Sequence, residues 1–153
     1  MPANFECKPI EFADIDSLGQ LMDISYRGTI DHRGESLDQC IQAMRDTING
    51  KYGPFIYQAS FVMTLNDQIA SAIMLTEWKG QPLVAEIMSD KKFQGKGLAK
   101  FLLARSISAL VPLNWQELFL VVTEGNTAAE KLYEAVGFTS AGRALPGTAP
   151  PAA

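Results

Sequence analysis

The sequence predicts one mixed α/β domain, with a mixed but mostly antiparallel sheet and helices on both faces. Three observations lead there. At 153 residues the chain can bury one continuous core but not two independent ones. Strand-like runs and helix-period stripes follow one another in the order β, α, α, β, β, β, α, β, α, β, and no internal repeat interrupts them. A hairpin centred on Asn66-Asp67 makes part of the sheet antiparallel, while the later alternation of strands and helices places helices against it.

Residues 5–11 read as the first strand. Asp14 offers an N-cap for a first helix whose stripe is Ile15, Leu18, Met22 and Ser25. The polar stretch from Tyr26 to Glu35 contains Gly28 and Gly34 and reads as a loop. Ser36 then caps a second helix with Leu37, Ile41, Met44 and Ile48 on one face, ending near Asn49-Gly50. Ser60 to Leu65 and Ile69 to Leu75 form the two arms of the hairpin. Gly80-Gln81-Pro82 turns into a nearly continuous apolar run, Leu83 to Ser89, as a central strand requires; Glu86 is its only charge. A third helix carries Ala99, Leu102, Leu103, Ile107 and Leu110 and is halted by Pro112. Leu118 to Val122 reads as a buried strand. Asn126 opens a fourth helix with the stripe Ala129, Leu132, Tyr133 and Val136, Gly137 closes it, and a short last strand starts at Phe138. The domain is expected over 1–143. Residues 144–153, with three prolines, one glycine and four alanines, read as a disordered tail.

Composition narrows the function. Hydrophobic residues at 47% and charged residues at 20% are ordinary for a soluble domain, and no apolar run reaches the roughly 18 residues of a membrane span, so no membrane partner is expected. The opening MPANFECKPIEFAD has neither a basic nor an apolar signal region, which makes the cytoplasm the expected compartment. Cys7 and Cys40 lack CxxC or metal-ligand spacing and are expected as buried free thiols, and no metal site is expected. A net charge of −4 argues against a nucleic-acid partner. Mild acidity suits a protonated amine, and equally suits solubility alone.

The chemistry centres on Gln94-Gly95-Lys96-Gly97-Leu98-Ala99, between a buried strand and an amphipathic helix, where backbone N–H groups can bind phosphate. A Walker loop would need glycine at Asp90 and Ser or Thr at Gly97. A dinucleotide fingerprint would need glycine at Lys100 and a Rossmann unit upstream. Both fail. A tight strand-to-helix turn, with Gly97 relieving a positive φ, is the plain alternative. Lys91, Lys92, Lys96 and Lys100 give this stretch a local excess of positive charge, either to attract phosphate or as solvated surface.

The loop resembles the GCN5-related N-acetyltransferase (GNAT) family, whose pyrophosphate loop runs Gln or Arg, any, any, Gly, any, then Gly or Ala; Gln94, Gly97 and Ala99 match in register. A second family signature, Asn followed by a helix with Ala, Leu-Tyr and Gly-Phe, is similar to Asn126, Ala129, Leu132-Tyr133 and Gly137-Phe138. The resemblance extends over the element order from about 5 to 143. It implies a GNAT-like acyl-CoA N-acyltransferase fold, acetyl-CoA as co-substrate with no metal, and transfer of acetyl to a primary amine of a small molecule or protein. A non-catalytic acyl-CoA-binding or sensory domain is the alternative, and a homodimer is compatible with either.

The resemblance further implies that Leu83–Ser89 and Leu118–Val122 splay apart around the pantetheine arm, with amides near Met88 and Ser89 holding the acyl carbonyl; Lys91 stands where the family often has proline. Glu86 is the candidate base if it faces the cleft, and an ion-pair partner if it faces a helix. Tyr133 is the candidate acid for the departing sulfur, against an ordinary core tyrosine. Asn126 bonds pantetheine, caps its helix, or both. His32, the sole histidine, lies in the loop with Tyr26, Asp31 and Glu35, where the family commonly builds its acceptor pocket; a solvated loop histidine is the alternative.

Overall fold

In the computed structural model, which describes residues 2–29, 32–122 and 125–139, five strands lie side by side in chain order. β1 (Glu6–Pro9), β2 (Phe61–Leu65), β3 (Gln68–Trp78) and β4 (Gln81–Ser89) are antiparallel, and β5 (Phe119–Leu120) runs parallel to β4. Helices α1 (Ile15–Tyr26) and α2 (Leu37–Ile48) cover one face, burying Leu18, Leu21, Met44 and Ile48 against Val62, Ala72, Met74 and Met88. Helices α3 (Leu98–Leu110) and α4 (Thr127–Val136) cover the other, with Leu98, Leu102, Leu103 and Tyr133 against Phe61, Ile73, Leu75 and Val84. The mixed sheet with helices on both faces is therefore as the sequence predicts.

Local chemistry explains the connections. Asn66 and Asp67 adopt φ of 50° and 65°, the left-handed pair that a two-residue hairpin demands. Ser36 caps α2 reciprocally: its Oγ accepts from Gln39 N at 3.1 Å and its N–H donates to Gln39 Oε1 at 2.8 Å. At Gly19 the two helices of the first layer meet so closely that a Cβ would stand 2.6 Å from Ile41 Cα.

Several expectations are corrected. The turn into β4 is Lys79-Gly80, and Gln81 and Pro82 already pair with Trp78 and Glu77 at the start of the strand. Asp14 precedes α1 but its carboxylate accepts from Glu11 N at 2.8 Å, capping the short turn before the helix. Leu37 is 40% exposed, because the buried face of α2 runs through Cys40, Met44, Thr47 and Ile48. On α3 the buried stripe is Leu98, Leu102, Leu103, Ser106 and Leu110, which leaves Ala99 half-buried and turns Ile107 outward. Ser106 is admitted because its hydroxyl donates to Ala59 O at 2.7 Å. Of Leu118–Val122 only Phe119 and Leu120 pair with β4. Phe138 and Thr139 form no strand, and the remainder of that expected strand, with the tail from 144, lies outside the described residues.

Candidate functional site

The chain leaves β4 at Ser89 and enters a short turn, Lys91–Phe93, capped by Asp90 Oδ1 accepting from Lys92 N at 3.1 Å. Gln94 is extended, Gly95 and Gly97 follow with φ of 80° and 75°, and Gly97 is the N-cap of α3. Having no side chain, Gly97 caps none of the first-turn N–H groups, which lie at the positive end of the helix dipole. A Cβ on either glycine would meet nothing within 4 Å, so it is the backbone angle and not crowding that demands glycine here. Gln94, Gly95, Lys96 and Gly97 are exposed, whereas Leu98 is buried and pins the turn to the core. Lys91 Nζ donates to Arg27 O, and Lys92 Nζ lies 3.8 Å from Asp90 Oδ2. Lys96 and Lys100 sit exposed in the turn and the first turn of α3.

β4 changes neighbours along its length. Leu83 and Val84 pair with Phe119 and Leu120, but beyond Val84 no ladder joins β4 to β5 among the described residues, so the two strands part there. At the point of parting the β3–β4 register shifts: Met74 faces Glu86 and Leu75 faces Val84, leaving Ala85 as a bulge. The bulge exchanges the faces. Val84 belongs to the core under α3 and α4, whereas Glu86 shares a face with Met74, under α1 and α2. Asp90 N donates to Ala70 O at 2.8 Å, and strand alternation then turns the amides of Glu86 and Met88 toward β3 and those of Ile87 and Ser89 toward the open edge. Ser89 N also donates to Ser25 Oγ, at 3.4 Å, and Met88 O accepts from Ser71 Oγ at 2.7 Å.

Glu86 is half-buried and accepts a 2.6 Å hydrogen bond at Oε2 from the hydroxyl of Tyr26. Tyr26 is the last residue of α1 rather than part of a loop. Ser25, Tyr26 and Arg27 each reach β4 or its exit, through Ser89 N, Glu86 Oε2 and Lys91 Nζ respectively. Ser25 and Ser71 carry no sequence signal of this role, since a serine in a helical stripe and another in a strand are read as small and polar.

Tyr133 lies on the opposite face of the sheet from Glu86. It is 5% exposed, packs in the core that includes Val84, Leu98 and Leu102, and its ring meets Phe138 edge-on with centroids 5.9 Å apart. Asn126 caps α4 through Oδ1, which accepts from Ala129 N at 3.3 Å, and Gly137 ends the helix at φ 114°. In the loop after α1, His32 Nε2 stands 4.0 Å from Glu35 Oε2. The N–H of Arg33 holds the Glu35 carboxyl below its ordinary value. Asp31 lies outside the described residues. Burial pushes the thiols of Cys7 and Cys40 up. Among the described residues no group of three or more His, Cys, Asp or Glu is placed to hold a metal ion, and no helix is long and apolar enough to cross a membrane.

Both the sequence and the fold of this chain resemble those of known proteins. The family model described as FR47-like protein matches residues 68–144, half of the chain, and takes in β3, β4, the glycine turn, α3, β5 and α4. The chain belongs to the FR47-like family, of GNAT type. The same fold occurs in the protein PH1933 of Pyrococcus horikoshii OT3, with a TM-score of 0.74 at 23% identity over 92% of each chain. It occurs also in the ribosomal-protein-S18-alanine N-acetyltransferase of Escherichia coli, with a TM-score of 0.73 at 20% identity, covering 90% of this GNAT-type chain and 79% of the other. AAC(6')-Iy, solved with the bisubstrate analogue CoA-S-monomethyl-acetylneamine, gives a TM-score of 0.69 at 14% identity over 94% and 96%. No curated protein matches the chain.

Proposed function

We propose that this GNAT-type domain, over residues 1–143, transfers an acetyl group from acetyl-CoA to a primary amine of a small molecule or protein. The observation that carries the reading is the pairing of an uncapped, glycine-built helix start with a split sheet that has Glu86 on one face and Tyr133 on the other. The likeness to proteins whose names include N-acetyltransferase and to one solved with a CoA-containing analogue supports it.

In this reading the N–H groups from Gly95 to Ala99 receive the pyrophosphate of the co-substrate, with Gln94, Lys96 and Lys100 at its rim. The pantetheine arm enters between β4 and β5, with Asn126 beside it at the start of α4. The edge amide of Ile87, with Met88 and Ser89 held in place beside it through Ser71 and Ser25, receives the thioester carbonyl and stabilises the oxyanion that forms on attack. One such donor is commonly worth on the order of a hundredfold or more in rate. The acceptor amine must be neutral to attack, yet at pH 7 an alkylammonium of pKa about 10.4 is deprotonated in only about one molecule in a thousand or fewer. Glu86, on the face covered by α1 and α2, takes that proton. Collapse of the tetrahedral intermediate breaks the carbon–sulfur bond, and the Tyr133 phenol, on the other face, gives the departing sulfur its proton.

Incubation with acetyl-CoA and a panel of amines, following thiol release, tests the proposal. Turnover by the wild-type protein is expected, with a large loss in Tyr133→Phe at unchanged CoA affinity. Tight CoA binding with no thiol release for any amine would instead favour a binding or sensory domain.

A further inference from the structure

We infer that Tyr26 is the positioning residue for the proton acceptor Glu86, and that it makes the end of α1 part of the acceptor site; the inference rests on the function proposed above. The ring of Tyr26 packs at the edge of the core between α1, α2 and the sheet, so its place is fixed by burial. From there its hydroxyl spans to β4 and donates to Glu86 Oε2 at 2.6 Å, the short distance of a bond to an ionised acceptor. The helix end is held from three sides. Tyr26 O accepts from Thr29 N at 2.9 Å and from Thr29 Oγ1 at 2.7 Å, Ser25 Oγ accepts from Ser89 N at 3.4 Å, and Arg27 O accepts from Lys91 Nζ.

A glutamate on a strand edge has three rotatable bonds, and a proton acceptor works only when its carboxylate is held in one orientation toward the arriving amine. The phenol supplies that constraint, and a hydrogen bond donated to the ionised form also favours it. Other charged and titratable groups on the elements around this pair are Asp23 and Arg27 of α1, themselves paired at 2.7 Å, Glu35 of the following loop, Cys40 of α2, and Lys91 beyond β4.

Tyr26→Phe keeps the packed ring and removes only the hydroxyl. Its kcat should fall roughly tenfold with the KM for acetyl-CoA unchanged, and the acidic limb of its kcat profile should move to higher pH. Because Tyr26 acts through Glu86, adding Tyr26→Phe to Glu86→Gln should cost less than about twofold more. An unmoved acidic limb, or losses that simply multiply in the double variant, overturns the inference while leaving the acetyltransferase reading intact. A folded wild-type protein that binds CoA and releases no thiol with any amine removes that reading, and this inference with it.

Discussion

Val84 and Glu86 stand two residues apart on one strand, yet their side chains lie on opposite faces of the sheet, because Ala85 between them is bulged out of register. Ordinary alternation would have placed both on the same face. The bulge thus decides which helix layer Glu86 meets, at the point where β4 and β5 separate. Deleting Ala85 would remove the bulge yet keep Val84 opposite Leu75 and Glu86 opposite Met74, so both side chains should keep their faces. The deletion is expected to cost roughly 1–3 kcal/mol in stability, the ordinary range for a single change. Urea denaturation would measure it, and a deletion variant that fails to fold would contradict the assigned register.

Glu86→Gln should lower kcat at pH 7 by about a hundredfold or more, the range for a general base. The deficit should shrink toward pH 10, where the amine loses its proton unaided. A pH-independent deficit in steady-state assays would point to packing instead of proton transfer.

Gly97→Val is expected to weaken CoA binding roughly tenfold or more while the protein stays folded. No neighbour blocks the new side chain, but φ of 75° disfavours it by about 1–2 kcal/mol, so the turn relaxes away from the conformation that places its amides at the helix start. Isothermal calorimetry with CoA, alongside a melting curve, separates the two effects; unchanged affinity would refute the role of the turn.

At Gly19 the expected effect is on the scaffold. Gly19→Leu drives a side chain into the backbone of Ile41, so α1 must lift from α2, with a loss of several kcal/mol in thermal unfolding. Since the end of α1 carries Tyr26, the KM for the amine should suffer in whatever fraction still folds.

Cys7 and Cys40 should alkylate more slowly than a free cysteine at pH 8, because burial raises both thiols and so reduces the thiolate fraction. The sign for stability follows. The folded protein retains thiol protons that the unfolded chain releases above about pH 8.5, so this contribution is full below that pH and is lost as pH rises further. Iodoacetamide labelling with and without denaturant reads the first effect, and unfolding midpoints at pH 8 and pH 10 read the second.

What the sequence disclosed depended on whether the chemistry was local. Asn66-Asp67 announces its hairpin, Ser36 and Gln39 their reciprocal cap, and Gly97 and Asn126 the starts of their helices, because each acts on backbone groups within a few residues. The bulge at Ala85 has no such signature, so the face presented by Glu86 could not be read from alternation. Nothing local to Ser106 announces that Ala59 O, 47 residues away, accepts from its hydroxyl. Leu118 and Val122 are apolar enough for a strand and pack against the core beneath α3 and α4, yet pairing with β4 is confined to Phe119 and Leu120. Tyr26 fell in a polar stretch that reads as loop, and only the tertiary fold brings it to Glu86, 60 positions away.

Beyond Val84 no ladder joins β4 to β5 among the described residues, which leaves the amide of Ile87 on an open strand edge. In the function proposed above, co-substrate and amine meet there together, so the travelling group has no need to lodge on the protein between arrival and departure. Sequential and not ping-pong kinetics, with double-reciprocal lines that cross, are then expected.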